Sequence, residues 1–236
     1  MHVRSIVVAL LAIFYASTAH ASSIVYDNLT TPLGNYIGGF AHEEVADDVT
    51  LGAGPSILDS LSVAYAGFNF DGDETLTATL YKMDGAPTPG SFGFNTPGTV
   101  LYSTTQPIIA TIGTVLTFAG LAPLNILLPS NVAVGVMFGG VEFVPSGAGG
   151  AADAGPLLYD PPTVGSSFDD YWLRGYPNSG DPWGLYTFGG NPPANLGLKI
   201  TTVGDAALVP EPASLTLLGL GLAGMGARRW RQRKRA

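Results

Sequence analysis

No cysteine occurs among the 236 residues. That absence excludes disulfide staples, thiol nucleophiles, cysteine-ligated zinc and c-type haem attachment. Histidine is nearly as scarce: His2, His20 and His42 are the full set, too few for a multi-histidine metal site. No nucleophile-elbow sequence accompanies His42, so a Ser-His-Asp hydrolase is not expected. Basic residues are scarce in the middle of the chain. Between Ser22 and Pro210, 17 acidic residues face three basic ones, Lys82, Arg174 and Lys199, a balance near −14 against −8 for the whole chain. A surface of that sign repels nucleic acid and anionic headgroups, so no nucleic-acid partner is expected. Lys and Glu are too few to support helices, and no amphipathic helix of useful length precedes the tail.

What is present begins with an address. The first residues, MHVRSIVVALLAIFYASTAHASS, have the three parts of a secretory signal peptide. His2 and Arg4 form the n-region, and Ser5 to Ala16 is an apolar core too short to span a bilayer comfortably. Ala19-His20-Ala21 has the small-x-small cleavage pattern, which predicts cutting after Ala21. An uncleaved anchor would need a stop-transfer flank, and none follows. Residues 1–21 therefore read as a signal peptide handled by the secretion translocon and signal peptidase.

The end of the chain is a second address. Val209-Pro210-Glu211-Pro212 is followed by an uncharged run rich in Leu, Gly and Ala, from Ala213 to Ala227. That run approaches the lower limit for a transmembrane helix. Arg228, Arg229, Arg231, Arg233, Lys234 and Arg235 come next, and such a cluster resists translocation and stays cytoplasmic. Gly219, Gly221 and Gly224 fit G-x-G-x-x-G. A dinucleotide site would need a preceding strand and a downstream acid, and neither is there. The glycines instead suit close helix contact within a membrane.

With its three elements in order, the tail resembles the PEP-CTERM sorting signal of Gram-negative bacteria. The resemblance covers roughly the last 27 residues, at 210–236, with 204–209 as a linker. It implies recognition by exosortase, a membrane protease with a cysteine nucleophile, and cutting near Pro210-Glu211-Pro212. It further implies an inner-membrane-anchored precursor whose body passes to the cell surface or beyond, in the company of exopolysaccharide and biofilm. Stretches of the body such as GTVLYST and LLYDPPTVGSSFDDYW are similar in style to the β-rich domains attached to such tails, a similarity that brings no ligand.

The body itself, residues 22–203, predicts an all-β, antiparallel β-sandwich of jelly-roll-like kind. It is long enough to bury most of its unfolded surface. In ETLTATLYKM, Leu76, Ala78 and Leu80 alternate with Thr75, Thr77 and Thr79, giving one dry and one wet face. In NVAVGVMFGG, Val132, Val134, Val136 and Phe138 point one way, and Ala133, Gly135 and Met137 the other. Neither set is charged, which predicts a central strand covered on both faces. SILDSLSVAY, TVLTFAG, LNILLP and LGLKITT are further strand candidates, separated by turn-rich stretches. Val144 to Gly165 and Tyr176 to Pro193 read as long irregular loops.

Two constellations in the body carry chemistry. Asp71, Asp73 and Glu74 lie together in DGDE. Hard oxygen donors in a turn suit calcium, the one cofactor the sequence suggests, although the spacing departs from an EF-hand. Solvated turn acids have the same look. The second constellation is aromatic: Tyr171, Trp172, Tyr176 and Trp183 stand near Asp169 and Asp170. Flat rings beside carboxylates can hold a sugar by stacking and hydroxyl hydrogen bonds. The competing reading has the two tryptophans plugging the open end of the sandwich. The functional expectation is a non-enzymatic, exported surface or extracellular-matrix protein. A secreted carbohydrate-binding module or carbohydrate-active enzyme sent by the same route is the alternative.

Overall fold

In the computed structural model, the described residues are 22–38, 44–52, 56–141, 151–175 and 181–203. The expected signal peptide with Ala19 and Ala21, His42, Tyr176, the expected linker and the whole sorting tail lie outside them. All described elements belong to the first of two units, Met1–Val203, and the second unit is Gly204–Ala236. Among the described residues, no helix is long and apolar enough to cross a membrane.

Among the described residues fourteen strands follow in chain order. They are β1 (Ser22–Asp27), β2 (Pro32–Tyr36), β3 (Glu44–Thr50), β4 (Ser56–Phe68), β5 (Thr75–Lys82), β6 (Val100–Pro107) and β7 (Thr111–Ala119). Then come β8 (Leu127–Leu128), β9 (Asn131–Gly139), β10 (Asp153–Tyr159), β11 (Ser166–Ser167), β12 (Tyr171–Arg174), β13 (Gly184–Tyr186) and β14 (Leu198–Val203). They form two seven-stranded sheets. The first runs β1-β14-β4-β10-β2 with β7 and β8 also on β4, and the second runs β13-β12-β3-β9-β5-β6 with β11 on β3. Every paired strand is antiparallel.

The alternation read in the sequence builds the core. Leu61, Val63 and Tyr65 of β4 share one buried cluster with Leu76, Ala78 and Leu80 of β5 and with Val132, Val134 and Val136 of β9. These side chains come from both sheets, so the two inner faces meet there as a sandwich. Each fully buried Leu or Val contributes about 1.5–3 kcal/mol. A charge at Val134 would break this layer, because an unpaired ion has no partner inside it.

The second sheet is covered on its outer face as well. Ala133 of β9 packs with Ala46, Tyr81, Trp172 and Trp183 in a separate small core. The uncharged outer face of β9 is therefore central and doubly covered, as its composition required. The tryptophans lie on the sheet's outer face and do not plug the end of the sandwich.

Both stretches expected to be wholly irregular contain strands. Val144 to Gly165 includes β10, and Tyr176 to Pro193 includes β13. β10 holds Gly155 and Pro156, residues that argue against a strand when read locally. Its conformation is set by pairing, Asp153 with Phe68 through Pro156 with Tyr65 on β4. Gly155 is also needed for packing, since a methyl there would overlap the Ile37 backbone.

Candidate functional site

The tetrapeptide Tyr171-Trp172-Leu173-Arg174 arranges the outer face. Strand geometry sends alternate side chains to opposite faces. Tyr171 and Leu173 enter the main core, whereas Trp172 joins the outer cluster and Arg174 pairs with Glu44. β12 lies against β3, with Trp172 opposite Ala46 and Arg174 opposite Glu44.

At one end of this face is a polar knot. Glu44 is buried. Its carboxylate accepts from the Arg174 guanidinium, and the Tyr81 hydroxyl lies 2.8 and 3.0 Å from its two oxygens. Arg174 also stands 4.9 Å from the centroid of the Trp183 ring, within cation–π range. Burial pushes Glu44 above the usual carboxylate range, and the Arg174 charge and the Tyr81 hydrogen bond pull it back. Burial, followed by the Glu44 charge, raises the Tyr81 phenol to about 12. Gly135 makes the knot possible, because a Cβ there would overlap the Glu44 carboxylate. Nothing in the knot is open to a ligand except the half-exposed guanidinium.

The other end of the same face opens into a cleft of about 340 Å³. Asp48 of β3, Asn131 of β9, Trp172 of β12 and Leu185 of β13 line it from the sheet. Met83, Phe94 and Asn95 reach it from the connection between β5 and β6, and Phe168 and Asp170 from the connection between β11 and β12. Phe94 is 61% exposed and Phe168 68% exposed. Large apolar rings this bare at a cleft mark a contact surface.

The loop carrying Phe94 is held firmly. Gly85 and Thr96 exchange backbone hydrogen bonds of 2.9 and 3.2 Å. Thr88 Oγ1 donates to the Trp183 carbonyl at 2.6 Å. Asp84 accepts from the Thr99 N–H at 2.6 Å and the Thr99 hydroxyl at 2.8 Å, and these bonds, the backbone one first, hold its carboxyl below the usual range. Phe92 at φ 53° and Gly93 at φ 90° turn the chain just before Phe94, and only glycine takes the latter conformation freely.

Two carboxylates face the cleft. The Trp172 indole N–H donates to Asp48 Oδ1 at 2.9 Å, and burial raises Asp48 above the usual range. Asp170 has a buried Oδ1 without a hydrogen-bond partner among the described residues. Burial, then the charges of Asp48 and Asp169, push it up to about 6. Behind them, on the inner face, Asp47 accepts from the Ser167 hydroxyl at 2.6 Å and the Leu196 N–H at 2.8 Å. Burial raises it well above the usual range.

The residues expected to bind a sugar are thus divided. Trp172 and Asp170 reach the cleft, Trp172 being only 2% exposed. Trp183 is buried in the small core, stacked edge-on against Tyr81 at 5.8 Å. Tyr171 is buried and lies against Phe188 and Tyr186 at 5.1 and 5.8 Å. Asp169 accepts from the Ala194 N–H at 2.7 Å. The two tryptophans, being buried, do not form a stacking platform; the exposed rings that line the cleft are Phe94 and Phe168. Sequence reasoning missed these two, along with Asn95 and Asn131, and did not place Asp48 beside the aromatic set. The signal for Phe94 was an aromatic set in the turn-rich GSFGFNTPG, where no core would retain it.

The acidic turn forms as expected. Carboxylate oxygens of Asp71, Asp73 and Glu74 lie within 4.8 Å of one another. Glu74 is buried and already engaged, accepting the Asp71 N–H at 2.7 Å and the Gly72 N–H at 2.9 Å. A hydrogen bond and the charge of Asp71 raise the exposed Asp73. Calcium takes six to eight oxygens, and this turn offers three carboxylates of which one is committed to the backbone.

Among solved structures, that of infectious bursal disease virus Gx strain is similar over 80% of this chain and 38% of the viral chain, at 13% identity and a TM-score of 0.21. A likeness that weak carries no argument. No curated protein matches the chain. The family model described as the PEP-CTERM protein-sorting motif matches residues 208–233. That match contains Val209, Pro210, Glu211 and Pro212 and four of the six residues of the basic cluster, Arg228, Arg229, Arg231 and Arg233. The chain carries the PEP-CTERM protein-sorting motif at residues 208–233.

Proposed function

We propose that this is a non-enzymatic surface or extracellular-matrix protein, delivered by its two ends and associated with exopolysaccharide. The single observation that carries the reading is the sorting motif at 208–233, which implies export and processing by exosortase, a membrane protease. The signal peptide leads the chain into the translocon and is cut after Ala21. The apolar run from Ala213 to Ala227 halts in the bilayer as a helix, because moving the following arginines across hydrocarbon is costly. The β body then stands outside the inner membrane until the chain is cut near Pro210-Glu211-Pro212. Its acidic surface suits a hydrated, soluble existence in an extracellular polymer.

The carbohydrate-active alternative has one observation in its favour: Asp48 and Asp170 share a cleft. Glycoside hydrolysis uses one carboxyl held protonated and one held ionised. Here burial pushes both in the same direction, and Asp48 already serves the Trp172 indole. That arrangement favours binding over bond cleavage.

Mass spectrometry of the mature protein from its native host tests the reading. The expected mass begins at Ser22 and ends near Pro212. Full-length protein recovered from the cytosol would overturn it.

A further inference from the structure

We propose that the outer-face cleft binds a hexose unit of a neutral polysaccharide, with Phe94 and Phe168 as its stacking rings and Asp170, Asp48, Asn95 and Asn131 as its hydroxyl partners. The inference deepens the surface-protein reading and rests on it only for where the polymer is met.

A pyranose has two chemically different aspects. Its C–H face is apolar and lies well on an aromatic ring, while its rim carries hydroxyls that both donate and accept. The cleft matches both aspects. Phe94 and Phe168 are bare rings on separate connections, at 61% and 68% exposed. The same lining holds two carboxylates and two primary amides, which supply acceptors and donors for a hydroxyl rim. Asp170 is only partly buried and its carboxyl lines the cleft, so it can accept from a sugar hydroxyl.

Charge narrows the class. Among the described residues no Lys or Arg lines the cleft, so a uronate, sulfate or phosphate would meet carboxylates with nothing there to neutralise it. Neutral sugars carry no such penalty. Size agrees too, since about 340 Å³ falls at the small end of ligand sites, as expected for a site gripping a unit of a longer chain. The loop bearing Phe94 is pinned by the Gly85–Thr96 and Thr88–Trp183 hydrogen bonds, so little ordering cost accompanies binding.

The body 22–203 holds the whole described core within its own unit and can be used alone. Its migration is followed in native gels containing dextran, laminarin, galactomannan or alginate. Retardation by at least one of the three neutral polymers is expected, with none by alginate. Phe94→Ala and Phe168→Ala should each weaken that retardation by at least about fivefold, the cost typical of an anchoring contact. Both rings are largely exposed, so both variants fold, and Ile112→Ala on the far sheet serves as the control that leaves retardation unchanged. No retardation by any neutral polymer, retardation by alginate alone, or retardation untouched by both phenylalanine variants would each overturn the site. Release of reducing ends would instead overturn the non-enzymatic reading while leaving the cleft as the sugar site. An unprocessed cytosolic protein would sink the sorting reading and leave this result standing.

Discussion

The indole N–H of Trp172 reaches Asp48 Oδ1 at 2.9 Å, across 124 residues of sequence. That bond turns the ring edge toward the cleft and its faces into the small core with Ala46, Tyr81, Ala133 and Trp183. It explains why the largest aromatic near the acids is not the one free to stack on a ligand.

Trp172→Phe removes the donor and keeps much of the packing. Asp48 then loses its one indole partner, and the expected loss of stability is about 1–3 kcal/mol. Asp48→Asn keeps an acceptor for the indole and removes a carboxylate that burial already disfavours in its charged form, so its cost should be smaller. Urea denaturation at pH 7 of both variants makes the comparison. An Asp48→Asn loss equal to or larger than that of Trp172→Phe would contradict this account.

How far the sequence disclosed these arrangements depends on the range of the interaction. The period-two pattern of β5 and β9 is local and strong, so Leu76, Ala78, Leu80 and the β9 valines entered the core as read. The tail was legible because motif, apolar run and cations occur in order along the chain. β10 was not, because Gly155 and Pro156 weaken its local signal and only β4 and β2 make it a strand. The cleft was half legible. Asp170 and Trp172 are close in sequence, whereas Asp48, Phe94 and Asn131 are brought to them only by sheet order. The faces of β12 follow from alternation, but nothing local says that the outer face of the second sheet is capped rather than wet.

Arg174→Met strands Glu44 in its buried place with only Tyr81 as partner. Breaking a wholly buried pair costs about 3–5 kcal/mol. Arg174's side chain is 46% exposed, so screening reduces the expected cost to about 1–3 kcal/mol at pH 7. Adding Glu44→Gln removes the stranded charge and should recover most of it. Thermal melts of the two single variants and the double variant give the coupling; strict additivity would show that the pair does not act as one.

β7 has β4 as its one partner among the described residues, and β6 has β5. Both edges fall in the span from Gly85 to Val141, which contains no charged residue. Exposed edges are normally guarded by charge, and here Ile112 is 89% exposed. Ile112→Lys should therefore delay aggregation on heating at high protein concentration, seen by light scattering. Stability should stay within about 0.5 kcal/mol, as for other exposed sites. Unchanged scattering would mean that this edge is not where copies meet.

Asp170 links the cleft to pH. Burial and the neighbouring charges raise its carboxyl to about 6, against about 3.9 in an unfolded chain. Between those values the folded state binds more protons than the unfolded one, so stability falls as pH rises through that window. Above it the penalty is complete; below it the penalty is gone. Asp170→Asn has no such proton to lose. Its stability relative to the native protein should therefore grow from nothing near pH 4 to about 1 kcal/mol at pH 7, after discounting for the partial exposure of the group. Urea midpoints for both proteins across pH 4 to 7 measure the difference directly. The raised carboxyls of Glu44, Asp47 and Asp48 remain in the variant, so some slope should survive in it. A gap between the two proteins that stays constant with pH would show that Asp170 titrates normally, and that its cleft is wetter than the structure makes it.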